Sequence, residues 1–315
     1  MTTLRSGATA RRRPARLGDR IFASSARAAG MLIVVVLAGV AGFLVWKSLP
    51  AFGASAAQLP AGKGLWSYIG PLAFGTVLAA AIGLVIATPL SVAIALFVNF
   101  YAPRRLERGL GYVVDLLAAI PSIVYGFWGI VALAPALVPF YGWLTRNVGF
   151  IPLFAGPASA TGRTMLTAGI VLAVMILPII TAISREVFRQ VPPLHREAAL
   201  ALGATRWEMI RLAVLPYGRS GIVGGAMLGL GRALGETLAV ALVLSISSGV
   251  TVDLISSSNP GTIAANIALQ FPESSGIQVN VLIASGLVLF VITLAVNVLA
   301  RWIVDRRADF AGANG

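Results

Sequence analysis

"MLTAGIVLAVMILPIITAI", residues 165–183, runs for nineteen residues without a charge. A hydrocarbon core about 30 Å thick is crossed by ~20 residues of helix. Inside lipid the backbone amides find partners only within a helix or a closed barrel. The run therefore predicts a membrane-spanning helix, and the chain repeats the pattern on both sides of it. Comparable apolar runs cover 28–49, 71–100, 110–140, 221–247 and 279–303, so the expected fold is an all-α integral membrane protein of six transmembrane helices. Strand-like alternation is absent. Pro89, Pro121 and Pro135 fall inside the two longest runs and predict kinks, tilt or a short re-entrant piece there.

Composition agrees. Of 315 residues 58% are hydrophobic and only 11% charged, and the mean hydropathy is +0.89, too apolar for the surface of a soluble domain of this length. With no cysteine, the chain has no disulfide, no thiolate catalysis and no Cys-based metal site, and the single His195 cannot build a zinc site alone. The net charge of +13 raises the question of nucleic acid. The basic residues, however, fall in the short segments between apolar runs, where they set membrane orientation. No nucleic-acid partner is expected; membrane lipid is.

The 24 Lys and Arg divide unevenly: seven precede residue 28, three cluster at 104–108, six lie between Arg185 and Arg219, and three follow from Arg301. The other loops hold only Lys47, Lys63, Arg146 and Arg163, and Arg232 lies inside an apolar run. By the positive-inside rule both termini are cytoplasmic, which six spans satisfy. The expected organisation is a basic cytoplasmic tail over 1–27, a first transmembrane helix over 28–49 and one membrane domain over 50–315. Ala54, Ser55 and Ala56 resemble a signal-peptide cleavage site, but the preceding run exceeds the usual apolar core of about 7 to 15 residues, favouring a retained anchor.

After the fourth run comes the longest cytoplasmic polar stretch, "SREVFRQVPPLHREAALALGATRWEMIRLAVLPYGRSG", residues 184–221. Pro192 and Pro193 end one helix, and Glu197 early in the next complements its dipole. Gly203 interrupts that helix, and a second piece from about Thr205 to Leu215 is expected to end at Pro216. Two short helices joined by a bend result. They form either a plain interfacial elbow or a docking lever.

The fifth run carries "GLGRALGETLAV", residues 229–240, with Arg232 and Glu236 near the middle of a span ~40 Å long. On a continuous helix Gly225, Gly229, Arg232, Glu236 and Val243 share one face, while Met227, Leu230, Leu234 and Leu238 share the other. A guanidinium at that depth is costly by at least about 2.5 kcal/mol and has to face protein or a water-filled cavity. Three roles are open: a self-neutralising pair that locks helices, a proton or ion relay in a secondary transporter, and a pathway for an oxyanion.

"EAALALGATRWEMIRLAVLPYGRSGI", "GRALGETLAV" and, in the third run, "DLLAAIPSIVYGFWGI" together resemble the PstC-type permeases of phosphate-specific ATP-binding-cassette importers, over most of residues 28–305. "GETLAV" favours this type over the homologous PstA-type subunit. The resemblance implies a type I importer fold in a bacterial plasma membrane, and a coupling loop at about 184–220. In its EAA motif Glu197, Ala198, Ala199, Gly203, Leu215 and Pro216 would engage a cytoplasmic ATPase; Ala213 departs from the usual isoleucine. It implies that Arg232 and Glu236 serve phosphate passage. Implied partners are a PstA-type subunit, two ATP-binding subunits and an extracytoplasmic phosphate-binding protein. No cofactor is expected on this chain; ATP and Mg would be used by the partner ATPase, since "PAGKGLW" lacks the spacing of a phosphate loop. Permeases for sulfate or molybdate share this architecture.

Other polar residues say less. Ser122, beside Pro121, offers a hydroxyl to the pathway or bonds to its own backbone. Asp115 reads as a helix-dipole partner, and Tyr125 and Trp128 as packing residues. The loops 141–164 and 248–278 either dock a binding protein or only connect.

Overall fold

The computed structural model describes residues 17–312 apart from 60, 61, 63 and 248. Most of the basic tail, residues 1–16, lies outside the described residues. The chain divides into two compact units, residues 1–47 and 48–315. The first unit holds most of helix α1, Leu17–Phe52, and from Met31 to Val40 every side chain on it is exposed, an apolar surface suited to lipid.

The second unit is built around three packed helices: α2 (Leu65–Leu96), α6 (Met165–Arg189) and α9 (Leu215–Leu234). Their contacts run through glycines. A Cβ on Gly83 would meet Leu172 Cβ at 3.1 Å, so α2 lies directly against α6. Along α9, Gly218, Gly221, Gly225 and Gly229 face Phe188, Val187, Ile183 and Ile180 of α6. Lipid supplies no hydrophobic drive between helices, and close backbone approach at small residues replaces it. α6 is the most buried of the five long apolar helices among the described residues, which its uniformly apolar sequence anticipates.

Five described helices are long and apolar enough to cross a bilayer: Ile21–Phe52, Leu65–Tyr101, Ser122–Val148, Met165–Arg189 and Ile277–Trp302, the last part of α12 (Ile277–Gly312). Two expectations need correction. The third apolar run is not continuous from 110 to 140. Its first part belongs to α3 (Arg104–Ala119), an amphipathic helix that stops at Ile120, where Pro121 disfavours helical backbone in the preceding residue. The span then restarts as α4 (Ser122–Trp128), passes a π-turn at Gly129–Leu133 and continues as α5 (Ala134–Val148). The π-turn lies where Pro135 cannot donate to the preceding turn.

The fifth run is broken too. α9 stops at Leu234, residues Gly235–Thr237 are non-helical, and α10 (Leu238–Val243) follows. This run is thus a broken pair of helices. Glycine makes this a weak helix, and Glu236 stabilises the break by accepting the Ala239 amide on Oε1 at 3.1 Å. A carboxylate on an otherwise unpaired helix amide takes the place of one backbone bond.

The loops at the end of the bundle remote from residues 190–215 are packed. Ser159 N donates to Ile255 O at 2.9 Å, Leu254 N to Leu153 O at 2.9 Å and Leu166 N to Leu254 O at 2.9 Å. Asn259, fully buried, accepts from Met165 N at 3.1 Å and donates to Ser256 O at 2.8 Å, fastening the loop to the start of α6. Helix α11 (Ile263–Gln270) completes this end, its first amide donating to the Thr76 hydroxyl at 2.9 Å.

Candidate functional site

The half-helices that follow the two breaks meet. A Cβ on Gly126 of α4 would lie 2.9 Å from Ala239 Cα of α10, and one on Gly129 would lie 2.7 Å from Val243 Cγ2. The pairings 126 with 239 and 129 with 243 set the two half-helices parallel. Ser122 is the first residue of α4 and is half-buried. Non-helical backbone at membrane depth is tolerated only where protein buries it or water reaches it. Here two such breaks lie side by side.

Arg232, in the last turn of α9, is half-buried. Its guanidinium has no carboxylate and no hydrogen-bond partner among the described residues; the Tyr125 phenol is close enough to feel its charge. Tyr125 is buried and its hydroxyl donates to Leu117 O at 2.8 Å, across the Pro121 break. Glu236 is buried, 8% exposed, and turned toward α10. The shared face expected for Arg232 and Glu236 is therefore lost after Leu234, and the two do not form an ion pair. The self-neutralising pair is not what the fold builds. Gly225 and Gly229 do occupy a close-packed face, against α6. The fold thus leaves a half-buried guanidinium, without a partner among the described residues, beside the Tyr125 phenol.

The second constellation lies at the other end of α6. After Val191 and Pro192 the chain forms α7 (Pro193–Ala201), bends at Gly203 with φ +85°, and forms α8 (Arg206–Met209). Nothing crowds Gly203, so glycine is required for its left-handed backbone alone. Thr205 caps α8 in a reciprocal box: Glu208 N donates to the Thr205 hydroxyl at 3.3 Å, and Thr205 N donates to Glu208 Oε2 at 2.8 Å. The Thr205 amide and hydroxyl hold the Glu208 carboxyl below its usual range.

Contrary to expectation, Pro216 does not end this piece. A π-turn at Ile210–Val214 carries helix α8 into α9, with Pro216 in the first turn, where a missing N–H matters least. The elbow is thereby continuous with the helix that bears Arg232. Glu197 and Ala198 are exposed, Ala199 and Leu215 half-buried and Pro216 exposed. Around the bend a hollow of about 640 Å³ is lined by His195, Ala198, Gly203, Leu212 and Ala213 among others, and Leu194, Leu202 and Leu212 stand 76%, 89% and 68% exposed beside it. Such apolar exposure is characteristic of surfaces that meet another protein or the membrane. The departure at Ala213 falls in this hollow, where a small side chain leaves it wider.

Residues 87–309 match the family of binding-protein-dependent transport system inner membrane components. The chain belongs to this family. Its relatives include the phosphate transport system permease protein PstC 2 of Mycobacterium tuberculosis, 47% identical over 94% of this chain and 95% of the relative. The PstC of Mesorhizobium japonicum is 41% identical over 99% and 98%, and that of Haemophilus influenzae 37% over 93% and 95%. Among solved structures, a bacterial ABC transporter that imports the acidic polysaccharide alginate matches with a TM-score of 0.56 at 17% identity, over 91% of this chain and 99% of that chain. That likeness shows the fold of an ABC-importer permease. The permease is thus a membrane transport subunit without an ATPase site of its own.

The helix break and the free state of Arg232 were not legible in the sequence. Only the two charges and the glycine-rich run hinted at a weak point. Ser122 precedes Arg232 and Glu236 by more than a hundred residues, and the packing of α4 on α10 brings their elements together. The elbow residues lie apart from Arg232, joined to it through α9.

Proposed function

We propose that this permease is the PstC-type subunit of an ATP-driven importer and passes inorganic phosphate. It works beside a PstA-type subunit, two cytoplasmic ATP-binding subunits and an extracytoplasmic phosphate-binding protein, in a bacterial plasma membrane with both termini inside. The observation that carries the reading is the unpaired Arg232 guanidinium beside two helix breaks, in a chain whose relatives are named phosphate transport permeases.

In this mechanism ATP-driven closure of the partner pushes the hollow around Gly203. Because α8, the π-turn and α9 form one helical path, displacement of the elbow moves Arg232 relative to α4 and α10. A phosphate entering between the half-helices meets the guanidinium and the Ser122 hydroxyl. Glu236 keeps α10 capped and sets negative charge nearby, so the anion is not held. A conduit has to release what it admits.

A guanidinium binds any tetrahedral oxyanion, so the test is competition. Uptake of labelled phosphate is measured in vesicles containing the assembled transporter and its binding protein, against excess sulfate or molybdate. Uptake that withstands both anions and requires ATP supports the assignment. Competition by either reassigns the substrate, and uptake without ATP or partners identifies a secondary transporter.

A further inference from the structure

At the elbow end of α6, beside neither constellation, lies a cavity of about 810 Å³ lined by Arg105, Glu107, Arg108, Tyr112 and Arg189. Its wall is α3, whose three faces do different work. Glu107, Gly111 and Val114 face α6: Arg189 Nη2 donates to Glu107 Oε1 at 2.8 Å, and Gly111 lies against the buried Arg185 guanidinium, which a Cβ would meet at 2.6 Å. Leu106 and Val113, on a second face, stand 55% and 53% exposed, and Leu116 at its edge is 70% exposed. Arg105, Arg108 and Tyr112 occupy the third face. Glu107 neutralises only Arg189. Arg105 and Arg108 have neither an ion pair nor a hydrogen bond among the described residues, and the cavity retains a net charge of two. Asp115 lies two turns beyond Arg108 on the same face and ends the basic patch.

We infer that this cavity binds the phosphate headgroup of an anionic phospholipid. The ligand chemistry is an oxyanion: two free guanidinium forks and a tyrosine hydroxyl converge on a space large enough for a phosphodiester and its glycerol. What favours lipid over a free anion is the neighbouring face. An exposed apolar stripe of Leu106, Val113 and Leu116 beside a basic pocket suits a molecule with acyl chains, and α3 leads through Pro121 directly into a membrane span. A bound headgroup would hold α3 against α6 at the point where α6 enters the elbow.

The test uses the full chain purified in neutral detergent and titrated with phosphatidylglycerol or phosphatidylcholine, the retained lipid being read by native mass spectrometry. Phosphatidylglycerol is expected to be retained in preference to phosphatidylcholine. The double variant Arg105→Gln with Arg108→Gln should weaken its retention about thirtyfold, roughly fivefold for each basic residue near the surface. Arg146→Gln, the loss of one charge at the opposite end of the bundle, should leave it unchanged. Equal retention of the two lipids, or an unchanged double variant, overturns the proposal. Displacement of phosphatidylglycerol by millimolar inorganic phosphate, but not by equal chloride, overturns the lipid assignment in favour of a free-anion site. Misfolding is separated by melting temperature: a double variant that melts with the parent and loses lipid supports the site, and one whose lipid loss only follows a lower melting temperature counts against it.

Discussion

Arg232 and Glu236 look alike in sequence, two charges four residues apart in an apolar run, yet the fold gives them different work. Arg232 is left with free donors, whereas Glu236 is committed to the Ala239 amide. Arg232→Gln keeps the length and loses the charge; phosphate uptake should fall about a hundredfold, the scale of a charged hydrogen bond of about 3 kcal/mol, with the assembled complex recovered in normal yield. Normal uptake, measured in the same vesicles as the competition assay, would remove Arg232 from the pathway. Glu236→Gln retains an acceptor for Ala239 and should preserve assembly, whereas Glu236→Ala leaves a buried amide unpaired and should destabilise by about 1–3 kcal/mol. Thermal unfolding of the purified permease distinguishes the pair.

The helices meet through close approaches that tolerate no added volume. Gly126→Val would drive a side chain into Ala239 and Leu242, separating α4 from α10. A loss of about 1–3 kcal/mol is expected, together with slower uptake, since the two half-helices flank Arg232. In the elbow the constraint is conformational instead. Gly203→Ala meets no atom but has to hold φ near +85°, at a penalty of about 1–2 kcal/mol. It should raise ATP hydrolysed per phosphate imported without changing membrane insertion; an unchanged ratio would show that the bend does not transmit motion. Sequence spacing anticipated the two helices, the capping residue Thr205 and the bend at Gly203. It missed the continuity past Pro216, because a π-turn has no residue signature and proline in a first turn reads the same as proline after a last one.

For the whole permease, the orientation proposed from charge is directly measurable because the chain contains no cysteine. Ala160→Cys, exposed in the packed loops, should react with a membrane-impermeant maleimide on intact cells, and Arg206→Cys, exposed on the elbow, only after permeabilisation. The reverse pattern would invert the topology and place the elbow out of reach of a cytoplasmic ATPase.

Apolar length and the asymmetry of arginines made the membrane class, five of the spans and the elbow readable from the chain, since lipid imposes one local rule on every segment that crosses it. The breaks at Ile120–Pro121 and Gly235–Thr237, the packing of α4 on α10 at Gly126 and Ala239, and the separation of Arg232 from Glu236 came only from the folded bundle. An i,i+4 pair appears aligned whenever its helix is assumed intact. Whether the helix stays intact depends on which neighbours are packed against it and on where a buried carboxylate finds its donor, and those are contacts between residues far apart along the chain.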